Sequence, residues 1–162
     1  MSRSSARFVL SAALGWCLCL STAAPSRAEG PFQYFTVNPC RIVDTRDPGG
    51  EAPLAHDTTR DFTIQGICGV PATARAVAIN VTVVQPNAGV GFLTVFPAGV
   101  ARPLASTVNW DGGESGVANA AIVGLSASGQ LSIYTFFNAG AGNSTDLVLD
   151  VSDYFAAPAA AQ

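Results

Sequence analysis

The chain has 162 residues, 49% of them hydrophobic and 12% charged, with a formal net charge of −3. All eight cations are Arg, and Arg3, Arg7 and Arg27 precede residue 28 while all 11 acids follow it, so the body of the chain is acidic and lysine-free. Such a surface excludes the classes that must meet phosphate with Lys and Arg, nucleic-acid and anionic-lipid binding, and the length fits one domain.

Arg3 and Arg7 lead into an apolar run, Phe8–Leu20, and Ser26-Arg27-Ala28 offers small residues at a cleavage site. This predicts a signal peptide over 1–28, cut after Ala28. The run is short for a span of about 20 residues, which disfavours a retained anchor. Trp16 and Leu18 stand before Cys17 and Cys19, where lipid attachment needs a small residue. The expected destination is secreted or cell-surface, without membrane insertion after cleavage. A single domain is expected over 29–155, followed by a disordered Ala/Pro tail, 156–162.

Phe32, Tyr34 and Phe35 in Pro31–Val37 can cover a core edge, and Arg41–Thr45 reads as a short strand. Asp47–Thr58 contains Asp-Pro-Gly-Gly and a second proline and reads as loop. Arg60–Gln65 alternates, with Phe62 and Ile64 inward. Arg75–Gln85 is the central strand: Val77, Ile79, Val81 and Val83 share one face, and Ala78, Asn80, Thr82 and Val84 the other. Asn80 is placed in a core strand, where a buried amide must find partners; the same holds for Asn109 and Asn119. The sequons at Asn80 and Asn143 carry little weight, since the pattern is frequent by chance.

Pro86–Gly89 predicts a hairpin turn joining this strand to Val90–Phe96 as its partner. Phe92, Thr94 and Phe96 then fall on one face, and Gly91, Leu93 and Val95 on the other. Ser106–Trp110 is a short strand. Asn119–Ser126 and Gln130–Asn138 flank Ser-Ala-Ser-Gly, a second expected hairpin. Thr145–Phe155 closes the domain. No stretch carries a helical stripe with caps. Eight or nine short strands predict an all-β, two-sheet antiparallel sandwich, jelly-roll-like or immunoglobulin-like. A closed barrel is the second reading, and the absence of a repeating unit argues against a solenoid.

Cys40 and Cys68 remain after cleavage. An isolated even pair in an exported chain reads as a disulfide closing a loop of 29 residues. A metal reading lacks further ligands, because the chain has one His and no other Cys past the leader.

The segments Pro39–Arg46, Gly66–Pro71, Ala78–Thr82, Phe92–Gly99, Arg102-Pro103, Ser106–Asn109 and Asp150-Val151 form an ordered series. Together they resemble a domain of exported bacterial proteins that occurs alone or in tandem, often attached to cell-wall or surface enzymes. The likeness spans about residues 35–155. It implies an extracellular β-sandwich accessory domain and carries no settled activity. The family's last motif usually has Gly where this chain has Asp153, a departure that sets the backbone there apart from the resemblance, since a Gly at such a place can serve a bulge.

Asp44 and Arg46 sit two apart and share a strand face, which suggests an ion pair tying the first strand to its following turn; Arg41 is expected on the opposite face. Trp110, Asp111 and Glu114 form the candidate ligand-binding loop, by ring stacking on a sugar or by a cation on the acids; the plainer reading is a turn with Trp110 covering the core edge. Asp150 and Asp153 are expected on opposite faces, which argues against joint ligation. His56 stands in a loop with no Gly-x-Ser-x-Gly elbow around any Ser, and no phosphate loop, dinucleotide fingerprint or zinc pattern occurs. No enzyme activity, metal or cofactor is expected. The leading expectation is a secreted, non-catalytic module for extracellular binding or adhesion, its partner a surface glycan or another extracellular protein. The alternatives are a structural subunit of an extracellular layer or filament, and a small hydrolase using His56.

Overall fold

A computed structural model describes residues 30–158; the expected leader, 1–28, and the last four residues lie outside this range. The described residues form nine strands and no helix: β1 (Gln33–Asp44), β2 (Leu54–Ala55), β3 (Thr58–Thr63), β4 (Ala74–Val84), β5 (Gly91–Pro97), β6 (Val108–Trp110), β7 (Gly116–Gly124), β8 (Gln130–Phe137) and β9 (Ser144–Ala156). They build two antiparallel sheets, β1-β9-β4-β7 with β2 added to β9, and β3-β8-β5-β6. The sheets stack as a sandwich and do not close into a barrel.

The central strand is where the alternation put it. β4 is paired on both sides, by β9 and by β7. Val77, Ile79, Val81 and Val83 are buried, facing Phe62, Ile64, Leu93, Leu131, Ile133 and Phe137 of the other layer. Each such side chain, fully buried, contributes roughly 1.5–3 kcal/mol. The other face of β4 is the outside of the sandwich, so Asn80 is exposed and needs no buried partner; its amide reaches only Thr82 Oγ1, at 3.3 Å.

Neither expected hairpin forms. β4 and β5 lie in different sheets, because both edges of β4 are already taken. The 85–90 connection is instead tied to its own layer: Gln85 N donates to Ser115 O, and Asn87 Oδ1 accepts from Ser144 N at 2.9 Å. The Ser126–Gln130 turn is tight, with Gly129 N donating to Ser126 O and Gly129 at φ 72°. It is nevertheless a corner between layers. Leu125 N holds the end of β7 to Arg75 O, while Gly129 O accepts from Ile64 and Gln65 beside β3. With β2 set aside, eight strands alternate between two four-stranded sheets in nested pairs: β5 with β6, β4 with β7, β3 with β8 and β1 with β9. That winding is a jelly roll. An immunoglobulin sandwich would keep sequential strands paired within a sheet.

Three boundaries also move. The two N-terminal segments are one strand, β1, with register shifts between Thr36 and Cys40 and between Arg41 and Val43; Pro39, which has no amide to donate, lies in the first. Within the expected 47–58 loop, Leu54 and Ala55 pair with Thr145 and Ser144. Ala156, assigned to the tail, is buried and pairs with Gln33 and Ala74.

Cys40 and Cys68 are bonded, with Cα atoms 5.7 Å apart, so β1 is stapled to the 66–70 turn. No helix among the described residues is long and apolar enough to cross a membrane.

Candidate functional site

The 110–114 loop spends its chemistry on itself. Trp110 is 3% exposed and packs inward, its ring edge-on to Phe137 at 5.2 Å. A buried indole offers no face to a sugar. The acids cap the turn: Glu114 Oε2 accepts from Asp111 N at 2.8 Å, and Asp111 Oδ1 from Gly112 N at 2.7 Å. The loop is a turn with Trp110 in the core. Among the described residues no group of three or more His, Cys, Asp or Glu side chains is placed to hold a metal.

Asp44 and Arg46 do pair: Arg46 Nη2 and Nε reach the Asp44 carboxylate at 2.6 and 2.8 Å, and Arg46 N donates to it at 3.1 Å. Arg41, expected on the opposite face, joins them, with Nη1 2.9 Å from Asp44 Oδ2 and Nε 2.9 Å from Asp150 Oδ1. The cause is the register shift between Arg41 and Val43, where an extra residue on β1 brings Arg41 into phase with Asp44. The hydrogen bonds from Arg46 hold the Asp44 carboxyl well below the usual carboxylate range. This cluster clamps β1 to β9. A second bulge changes the other acid pair: Ala78 opposes Asp153 and Ile79 opposes Val151, which leaves Ser152 as the extra residue. Asp150 and Asp153 therefore fall on the same, outer face, in contrast to the strict alternation. Their partners differ, Arg41 for Asp150 and Ser152 Oγ for Asp153, and they share no site.

His56 lies in the turn between β2 and β3. Its Nδ1 accepts from Phe137 N at 3.1 Å, and its ring packs on Phe136 at 4.9 Å. One ring nitrogen is thus spent holding the turn to β8.

The same contact leads to a surface that sequence reasoning passed over. Core-facing positions on β5 and β8 are Leu93, Val95, Leu131, Ile133 and Phe137. The alternate positions form the outer face of the four-stranded sheet, where Thr94, Phe96, Ser132 and Tyr134 are buried and Phe92 and Phe136 are only half-buried. Phe92 pairs with Phe136, Thr94 with Tyr134 and Phe96 with Ser132. The Phe92 and Phe136 rings stack at 5.4 Å and are half-buried, with the His56 ring beyond Phe136 and exposed Asn109 opposite Phe92. In the next row Tyr134 donates to Asp57 Oδ1 at 2.7 Å, and the Arg102 guanidinium sits 3.9 Å over its ring. Burial and then the Asp57 carboxylate raise the Tyr134 pKa, so its hydroxyl stays a proton donor. Arg102 comes from the exposed 98–107 connection, which places a cation at the border of the open Phe92–Phe136 row. The signal was present in the sequence as Phe-x-Thr-x-Phe and Tyr-x-Phe at period two. What it lacked was the side: alternation gives two faces without saying which is wet.

Compared with models of known protein families the chain matches none, and no curated protein matches it.

Proposed function

We propose that the chain is an exported, non-catalytic binding module, and that the outer face of its four-stranded sheet receives a glycan. The observation that carries this reading is the stacked Phe92–Phe136 pair, held at the surface of a rigid sheet rather than in the core. Half-exposed apolar rings at a surface leave a face that a partner can cover. A sugar suits them: its C–H face lies on an aromatic ring while its hydroxyls need hydrogen-bonding groups at the border. Asn109, Asp57, Arg102 and the free side of His56 supply donors and acceptors of both charges around the pair. A rigid platform of this kind loses little entropy on binding. The disulfide fits an oxidising compartment, in keeping with the leader expected from the sequence and with the exported-domain resemblance. Non-catalytic action accords with His56 being committed to the β8 backbone.

The test is binding of the purified mature chain to a panel of cell-wall and capsular polysaccharides, by affinity electrophoresis and calorimetry. Phe92→Ala with Phe136→Ala should weaken the best ligand at least tenfold while leaving the circular dichroism spectrum unchanged. A folded double variant that binds as well as the parent removes the reading, as does a parent that binds no member of the panel.

A further inference from the structure

We infer that β7 is a self-pairing edge, joining antiparallel to the β7 of a second copy of this chain across a twofold axis. β7 ends its sheet and is hydrogen-bonded to β4 alone. Its backbone groups on the far side meet no strand among the described residues, and the Asn119 side chain donates from Nδ2 to Thr107 O at 2.8 Å. An unpaired row of amides and carbonyls is a template for another strand, and proteins ordinarily blunt it with charge, proline, bulges or shortness.

The other three edges are blunted in those ways. β1 carries Pro39, two register shifts and the charged pair Arg41 and Asp44. β3 carries Arg60 and Asp61. β6 is three residues long. β7 has none of these features: Gly116–Gly124 reads GVANAAIVG, nine residues without a charge or a proline and with an unbroken register against β4.

The strand is also close to a palindrome. Antiparallel pairing centred on Ala120 sets Gly116 against Gly124, Val117 against Val123, Ala118 against Ile122 and Asn119 against Ala121. Every pair joins small or apolar groups, and no like charges oppose each other. Inward positions meet inward positions, so neither copy turns its core face to water; a slip of one residue would lose that match. Ile122, which is 69% exposed, would lie beside the small Ala118 of the partner, and each copy offers the same gap to the other. The open depression of about 480 Å³ beside Ile122, bordered by Ala78, Asn80, Ala120 and Ser152, continues this surface onto β4. A twofold contact uses both β7 edges at once, and the blunted edges leave no second contact to propagate, so the assembly closes as a dimer and does not grow into a filament.

An edge-to-edge contact of this length is small and belongs with weak, transient interfaces. Sedimentation velocity of the exported chain over a wide concentration range should therefore show a monomer passing reversibly to a dimer. Ala120→Lys places two ammonium groups against each other on the axis at an exposed position, and should shift dimerisation to at least tenfold higher concentration. Leu104→Lys, at the 97%-exposed apolar tip of the 98–107 connection, should leave it unchanged. A parent that stays monomeric throughout overturns the inference. So does a dimer that survives Ala120→Lys, one that is lost in Leu104→Lys, or growth into open polymers. The glycan platform lies on the other sheet, so loss of sugar binding in Phe92→Ala would leave the dimer untouched.

Discussion

Replacing Gly91 with Ala should destabilise the protein by about 3 kcal/mol, the upper end of the range for overpacking a filled site. The direction runs against the ordinary expectation, since Ala in a strand interior normally improves on Gly by roughly 0.5–1 kcal/mol. Gly91 opens β5 opposite Trp110, and its φ is not in the left-handed region. The cost is therefore steric. A Cβ there would run into the six-membered ring of Trp110 and stand 2.6 Å from Phe136 O. Ordinary contact begins at 3.4 Å, so the carbonyl would have to retreat by about 0.8 Å. That carbonyl belongs to a paired strand, and the indole is wedged against Phe137, so neither yields cheaply. A domain of this length loses roughly 3–5 °C of melting temperature per kcal/mol, which makes the expected drop about 10 °C. Urea titrations of Gly91→Ala, Trp110→Leu and the double variant read the cause directly. With the indole gone, the Ala should cost at least ~1 kcal/mol less than it does alone, the coupling expected of residues in contact. Strictly additive costs, or a Gly91→Ala protein as stable as the parent, would refute the packing described.

Cys40→Ser should lower unfolding stability by about 3–4 kcal/mol, the loop-closure cost for a crosslink of this span, and Cys68→Ser should match it in the same urea assay, because either change opens the same bond. Acid titration should show the Asp44 clamp failing. Its carboxyl is held below the unfolded value of about 3.9, so its contribution is complete above that pH and falls away as pH drops toward the folded value; the stability of Asp44→Asn, followed by fluorescence, should depend less on pH below about 4 than that of the parent.

The legible parts of this fold were those that repeat at period two. Val77 to Val83, Phe62 with Ile64, and the all-β class follow from alternation and from turns rich in Gly and Pro. Pairing partners did not follow. Pro86–Gly89 and Ser126–Gly129 have hairpin composition, yet each takes the chain from one layer to the other. A turn's residues fix its local bend, whereas the free edge of a distant strand decides where the chain lands. Phase was lost at the bulges: one extra residue near Ile42 put Arg41 beside Asp44, and one at Ser152 put Asp150 and Asp153 on the same side. The candidate site failed to be read for a related reason. Trp110 invited attention as a Trp beside acids, but its place on β6 points it inward, while Phe92 and Phe136, unremarkable in sequence, point outward.

The nested strand pairs bear on how the chain reaches its final form. Only β5 and β6 are hydrogen-bonded partners that also follow each other in the chain, and in the nested set β4–β7, β3–β8 and β1–β9 each bracket the pair before. Bringing β1 to β9 directly would mean closing a loop of nearly the whole domain, but once the inner pairs have formed, each next closure spans only a short residual gap. Assembly should then run from the 98–107 apex outward, like a zipper whose slider starts at the bend, and slowly, as topologies rich in distant contacts do. The Arg41–Asp44–Asp150 clamp and the sulfur bridge both sit on the last teeth to engage.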